Sequence, residues 1–101
     1  MILEQNEIAI INRFLDEQGR IKVWPTKRQK QEVIFKYLAQ KFEAGRIYTE
    51  NEINLVLYGC HTFNDHFLLR RGLVVQGHLE RKRDGSAYWV KNSLSDVAVK
   101  N

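Results

Sequence analysis

The sequence predicts an α+β fold in which helices are followed by a C-terminal β-hairpin, with an extra helix at the N-terminus. Two local signals carry this reading. Thr49-Glu50-Asn51-Glu52 is a capping box, in which the Thr hydroxyl and the Glu carboxylate satisfy two orphan backbone N–H groups at a helix start. Asp84-Gly85 lies between two short runs of alternating polarity, a strong short-range hairpin signal. The chain has 101 residues, and a prior of roughly 150 residues per domain makes it a single domain over 1–101.

The elements follow in order. Residues 2–17 carry Ile8, Ile11 and Leu15 at helical spacing with Phe14 beside them, and Gly19 is the expected stop. Arg20-Ile21-Lys22-Val23-Trp24 alternates up to Pro25, which predicts a short strand or extended arm with Ile21 and Val23 on one face. Thr26 and Gln29 have capping-box spacing and predict a helix whose buried stripe is Ile34, Leu38 and Phe42, flanked by Phe35 and Tyr37 and ended by Gly45. A short extended segment at Arg46-Ile47-Tyr48 precedes the capped helix through Ile53, Val56 and Leu57, which stops near Gly59. After Cys60-His61-Thr62, a helix is expected from about Asn64 to Gln76, with Phe67, Leu69, Leu73 and Val74 as its apolar residues and Gly77 closing it. A two-residue hairpin loop pairs Arg83 with Ser86, Arg81 with Tyr88 and Leu79 with Val90. It sets Leu79, Arg81, Tyr88 and Val90 on one face and Glu80, Lys82 and Trp89 on the other. Residues 92–101 are polar and read as a frayed tail.

Helix, extended segment, helix, turn, helix and hairpin is the order of a winged helix-turn-helix. There the second helix of the turn pair enters a nucleic-acid groove and the hairpin forms a wing beside it.

Composition narrows the function classes. Hydrophobic residues make up 44% and charged residues 28%, close to the globular average, so wholesale disorder is excluded. One cysteine, Cys60, cannot form an internal disulfide, which fits a reducing cytoplasm. The longest uncharged apolar stretch, Ile53 to His61, falls far short of the roughly 20 residues a membrane helix needs. The acidic start is unlike the basic n-region of a signal peptide.

Charge is unevenly spread. The first 19 residues hold Glu4, Glu7, Asp16 and Glu17 against Arg13, whereas the net charge of the whole chain is +4. Between residues 20 and 46, Arg20, Lys22, Lys27, Arg28, Lys30, Lys36, Lys41 and Arg46 face only Glu32 and Glu43. Clustered basic charge is the footprint of a polyanion partner, and equally of a solvated helix face.

A set of fragments adds a resemblance. Phe14-Leu15-Asp16, Gly19-Arg20-Ile21, Pro25-Thr26-Lys27, Phe42-Glu43-Ala44-Gly45-Arg46, Tyr48-Thr49-Glu50 and Glu52-Ile53-Asn54 occur in that order. Asp65, Leu69-Arg70-Arg71, Leu73-Val74, Leu79-Glu80-Arg81 and Gly85-Ser86-Ala87-Tyr88 follow. Together they resemble a small bacterial domain family of unassigned function. The resemblance implies members that occur alone or fused behind the helix-turn-helix domain of ArsR-like transcriptional regulators. It implies regulatory company and no established reaction. Gly72 departs from the larger residue usual after the paired arginines, and leaves that helix free to kink.

The candidate nucleic-acid contacts are Lys27, Arg28 and Lys30 in the first turn of a helix, Arg70 and Arg71 in the expected recognition helix, and Arg81, Lys82 and Arg83 at the wing. Cations in a first helical turn oppose the helix dipole, and an anion bound there would offset that cost. With Leu69 and Leu73 setting the core stripe, Arg71 is the better groove residue and Arg70 is free to turn to an acid such as Asp65 or Glu52. Arg81-Lys82-Arg83 suits a backbone or minor-groove contact, or a charge-protected sheet edge. Trp89 packs under the N-terminal helix or a second subunit, or stacks on a base.

No catalytic or cofactor motif is present: GxSxG, GxxxxGK and GxGxxG are all missing. Cys60, His61, Asp65, His66 and His78 lack metal-ligand spacing, so no metal is expected. Two readings follow: a DNA-binding transcriptional regulator, or a protein-interaction or sensing module of the same shape that does not bind DNA. Ile2, Leu3, Ile8, Ile10, Ile11, Phe14 and Leu15 exceed one helical stripe, which predicts a homodimer through the N-terminal helix.

Overall fold

A computed structural model describes residues 3–91. Met1, Ile2 and the tail expected at 92–101 lie outside the described residues. The elements are α1 (Gln5–Asn12), α2 (Arg28–Ala39), α3 (Glu50–Tyr58), α4 (His66–Val75), β1 (Leu79–Arg81) and β2 (Tyr88–Val90). The expected α+β arrangement of helices and a C-terminal antiparallel hairpin is present. Ile21, Ile34, Leu38, Ile53, Leu57, Leu69, Leu73 and Leu79 are fully buried and gather α2, α3, α4 and the hairpin around one core.

The N-terminal helix is shorter than its periodicity predicts. It ends at Asn12 rather than running to 17. The cause is Asp16, whose carboxylate accepts the backbone N–H of Gln18 (2.9 Å) and of Arg20 (2.8 Å) and pairs with the Arg20 guanidinium (2.8 Å). A side chain that satisfies local backbone donors competes with the helix, and here it wraps a turn around Gly19 at φ 79°. α1 is held on α2 by buried Ile11 and by the Lys36 ammonium on Glu7 (2.8 Å).

The expected arm narrows to a single residue. Ile21 bridges Leu15 on one side and His61 on the other. Its N–H donates to Cys60 O (2.7 Å), and its carbonyl accepts from Thr62 N–H (3.0 Å). Ile21 is fully buried but Val23 is 53% exposed, so the two do not share a buried face. The chain bends at Val23 and sends Trp24 against Phe35 (ring centroids 5.3 Å apart).

α2 begins at Arg28, with Lys27 at the N-cap and no side-chain cap, so the Thr26–Gln29 box does not form. Instead the Gln31 amide reaches back to Pro25 O (2.8 Å) and fixes the entry to the helix. The helix closes at Ala39, six residues before Gly45. Phe42 leaves it to meet Tyr48 edge-on at 5.5 Å, and Glu43 N–H donates to the Tyr48 hydroxyl (2.8 Å).

The Thr49 capping box forms as its sequence predicts. Glu52 N–H donates to Thr49 Oγ1 (3.1 Å), and Thr49 N–H to the Glu52 carboxylate (2.8 Å), which holds the Glu52 carboxyl below its usual range. α4 starts at His66, capped by Asp65 accepting from Leu68 N–H (3.1 Å). The hairpin register is the expected one, Leu79 to Val90, Glu80 to Trp89 and Arg81 to Tyr88. Its loop is longer than two residues, because Lys82 N–H donates to Ala87 O (2.9 Å) and Gly85 N–H to Lys82 O (2.9 Å). A two-residue type I′ loop needs positive φ at both central residues. Gly85 supplies it (φ 79°) and Asp84 does not. Tyr48 pairs with Tyr88 through two 2.8 Å backbone bonds, which dock the hairpin beside the entry to α3.

α4 runs unbroken through Gly72, the position that leaves the helix free to kink. Gly72 is the point where α4 meets α2: a Cβ would clash with the Cζ edge of the Phe35 ring. Gly72→Ala should therefore destabilise by about 1–3 kcal/mol, the cost of overpacking, although helix propensity alone favours Ala by roughly 1 kcal/mol. Phe35→Leu in the Gly72→Ala background should recover part of the loss in urea denaturation, and a more stable Gly72→Ala single variant would refute the close crossing.

His78, between α4 and β1, is held below the ordinary histidine range by burial and then by the nearby Lys36 charge. A base whose folded pKa is depressed is neutral in the fold and takes up protons on unfolding. Stability should accordingly fall as the pH drops below the unfolded histidine value of about 6.5. Melting curves of His78→Gln should show a shallower decline over the same interval.

Candidate nucleic-acid interface

α4 presents Phe67, Arg71 and Val75 outward at i, i+4 and i+8, opposite buried Leu69 and Leu73. Phe67 is 64% exposed and Val75 73%. Arg71 is exposed as expected. Arg70 turns inward, but to an amide rather than an acid: its guanidinium donates to Asn54 Oδ1 and lies 4.7 Å from the centre of the Phe67 ring. Both acids offered to it by the sequence are engaged elsewhere, Asp65 in capping α4 and Glu52 in capping α3 and pairing with Arg46 (3.4 Å).

The wing residues divide. Arg81 folds back over its own loop, donating from Nε to Lys82 O (3.1 Å) and from Nη2 to Arg83 O (2.9 Å). It clips the turn. Lys82 and Arg83 stay exposed. Trp89 is half-buried, and its indole N–H donates across the hairpin to Glu80 (3.1 Å).

The three cations at the start of α2 also separate. Lys27 and Arg28 are exposed, and Arg28 makes an open pair with Glu32 at 3.5 Å, worth a few tenths of a kcal/mol at about the scale of i,i+4 pairs. Lys30 is half-buried and turns towards Phe14, 6.0 Å from its ring. Arg28 shares a helix stripe with Gln31 and Phe35, the side chains that face α4.

A cleft of about 850 Å³ runs along α4. Trp24, Gln31 and Phe35 line it from the α2 side, and Glu50, Arg81 and Tyr88 from the hairpin side. Of the sequence-derived contacts, the cleft brings together Arg70, Arg71 and Arg81; Lys27, Arg28, Lys30, Lys82 and Arg83 do not line it. Glu50 and Tyr88 were not among the sequence candidates. The Tyr88 hydroxyl donates to Glu50 Oε1 (2.9 Å), and burial followed by that contact pushes the phenol up. No local signal marks this pair, since 38 residues separate its members.

A family described as "Uncharacterized protein conserved in bacteria (DUF2087)" matches residues 20–90. The chain belongs to this family. The DUF2087 span takes in α2 to β2, with Arg20 at one end and Val90 at the other, and leaves α1 outside. No curated protein and no solved structure matches the chain.

Within the DUF2087 span the Cys60 thiol and the His61 ring have structural partners, whereas the buried Nδ1 of His66 has no hydrogen-bond partner among the described residues. The Cys60 thiol is buried, points at Val56 O (3.1 Å) and is pushed up by burial, so little thiolate forms. His61 is buried with both ring nitrogens used: Nε2 accepts from Asp65 N–H (2.8 Å), which leaves Nδ1 to donate to Leu57 O (2.6 Å). It ties the end of α3 to the start of α4. The His66 ring sits 4.6 Å from Tyr58 and 4.8 Å from Phe67. Among the described residues, no three His, Cys, Asp or Glu side chains group as a metal site, and no helix is long and apolar enough to cross a membrane.

Proposed function

We propose that this domain is a winged helix that binds double-stranded DNA and acts in transcription regulation in the bacterial cytoplasm, without catalysing a reaction. The observation that carries the proposal is exposed Arg71 on the outward stripe of α4, flanked by a hairpin whose loop exposes Lys82 and Arg83. Tyr48, bridged to Tyr88, takes the place of the third strand of a winged helix, so α2, Tyr48, α3, α4 and the hairpin follow winged-helix order. In this reading α4 enters the major groove, Arg71 donates to base edges, and Lys82, Arg83, Lys27 and Arg28 hold phosphates.

Four phosphate contacts give a log–log salt slope near −3.6, at about −0.9 per contact. Titrating labelled duplex between about 50 and 200 mM salt tests this. Lys82→Ala should flatten the slope by about one contact and weaken all sequences alike. Arg71→Ala should erode sequence preference by about 1–3 kcal/mol.

A homodimer through α1 belongs to the same proposal. α1 spends Ile11 on the core and leaves Ile8 45% exposed, the residue a partner copy would cover. Sedimentation should give a dimer that Ile8→Glu converts to monomer, and a wild-type monomer at micromolar concentration would remove this part of the proposal.

One observation favours a second reading, a protein-interaction or sensing module accompanying transcriptional regulators. Leu55 and Tyr58 on α3 are 70% and 48% exposed, and Tyr58 adjoins exposed Phe67 through His66. In that reading a separate helix-turn-helix domain makes the DNA contact. Absence of duplex binding at the low-salt end selects it.

A further inference from the structure

We infer that the cleft along α4 binds a planar aromatic anion, its ring lying against Trp24, Phe35 and Val75 and its negative charge meeting Arg71. Volume is the first support, since about 850 Å³ falls within the roughly 300–1,000 Å³ of small-molecule sites. The second is the arrangement on α4. Phe67 and Val75, both largely exposed, stand one turn on either side of Arg71. A guanidinium between two uncovered apolar side chains matches a ligand with a flat apolar body and one anionic group, because the guanidinium pairs a carboxylate in a bidentate manner and stacks on aromatic faces.

Charge selects the anion. Three arginines line the cleft against two carboxylates, Glu50 and Asp65. Glu50 accepts from the Tyr88 hydroxyl and Asp65 from Leu68 N–H. Arg70 is held by Asn54 and Phe67, and Arg81 by the loop carbonyls. Among the described residues Arg71 has no hydrogen bond or ion pair, so of the three guanidiniums in the cleft it is the one whose donors are left for a ligand. Gly72, next in the helix, contributes no side chain, and the Phe35 ring closes the floor there. The inference does not depend on DNA binding. If both hold, Arg71 serves both ligands and they exclude each other.

Calorimetric titration of the full chain with 2-naphthoate, and with the uncharged 2-naphthamide, tests it. The carboxylate should bind one-to-one, at least about tenfold more tightly than the amide, a difference of about 1.4 kcal/mol. Arg71→Gln should lower naphthoate affinity to that of the amide and leave amide affinity unchanged. Val75→Ser should weaken both ligands, and Lys41→Ala, on a residue that does not line the cleft, should weaken neither. Thermal midpoints matching the wild type establish that each variant is folded. Equal affinities for the two probes, an unchanged naphthoate affinity in Arg71→Gln, or no binding at millimolar probe would each overturn the inference.

Discussion

The close crossing of α4 over α2 at Gly72 is the constraint on which the candidate site depends. Two helices approach closely where one of them has no side chain, and here the Phe35 ring fills the space a Cβ would need. The contact sets how α4 is rolled about its axis. With Gly72 turned to Phe35, and Leu69 and Leu73 buried, the outward stripe can only be Phe67, Arg71 and Val75. A larger residue at 72 would lift α4 or rotate it, and both the exposure of Arg71 and the shape of the cleft would change with it. Helix propensity is the smaller term at this position, because packing at a tight crossing is felt at the level of single methyl groups.

Long-range polar pairs then place the hairpin. The Tyr48–Tyr88 backbone pair and the Tyr88 hydroxyl on Glu50 join the hairpin to the start of α3 from two directions. Glu50 lies beside the capping box, so the element that starts α3 also anchors β2. His61 does comparable work at the other end, linking Leu57 to Asp65 across the turn between α3 and α4. These contacts join the elements in pairs, so the placement of the wing residues follows from the helix ends rather than from the hairpin alone.

The arginines illustrate how a basic composition divides into structural and available charge. Arg20, Arg70 and Arg81 each satisfy backbone or side-chain acceptors of the fold, and Arg46 lies over the Tyr48 ring while pairing with Glu52. Exposed Arg71, Lys82, Arg83, Lys27 and Arg28 keep their charge towards solvent. A ligand meets this second group, so the 16 lysines and arginines of the chain overstate what the surface offers. Desolvated or partnered cations contribute to the field of the molecule but cannot form new short contacts without breaking existing ones.

The sequence by itself determined what short-range chemistry determines. The Thr49–Glu52 box is complete within four residues, so it forms as read. The hairpin register is set by the alternation around Asp84-Gly85 and holds even though the loop is longer than two residues. Leu69 and Leu73 mark the buried side of α4 from spacing alone, which was enough to turn Arg71 outward. Tertiary structure decided whatever required a distant partner. Thr26–Gln29 had the right spacing for a cap, but the Gln31 amide on Pro25 and the Trp24–Phe35 contact fix the entry to α2 instead. Ile21 and Val23 alternate like a strand, yet Ile21 alone finds bridging neighbours, Leu15 and His61, and the latter lies 40 residues away along the chain. The inward turn of Arg70, the Arg81 clip and the assembly of the cleft depend on which acceptors the fold brings near. Spacing along one element carries no information about acceptors supplied by another.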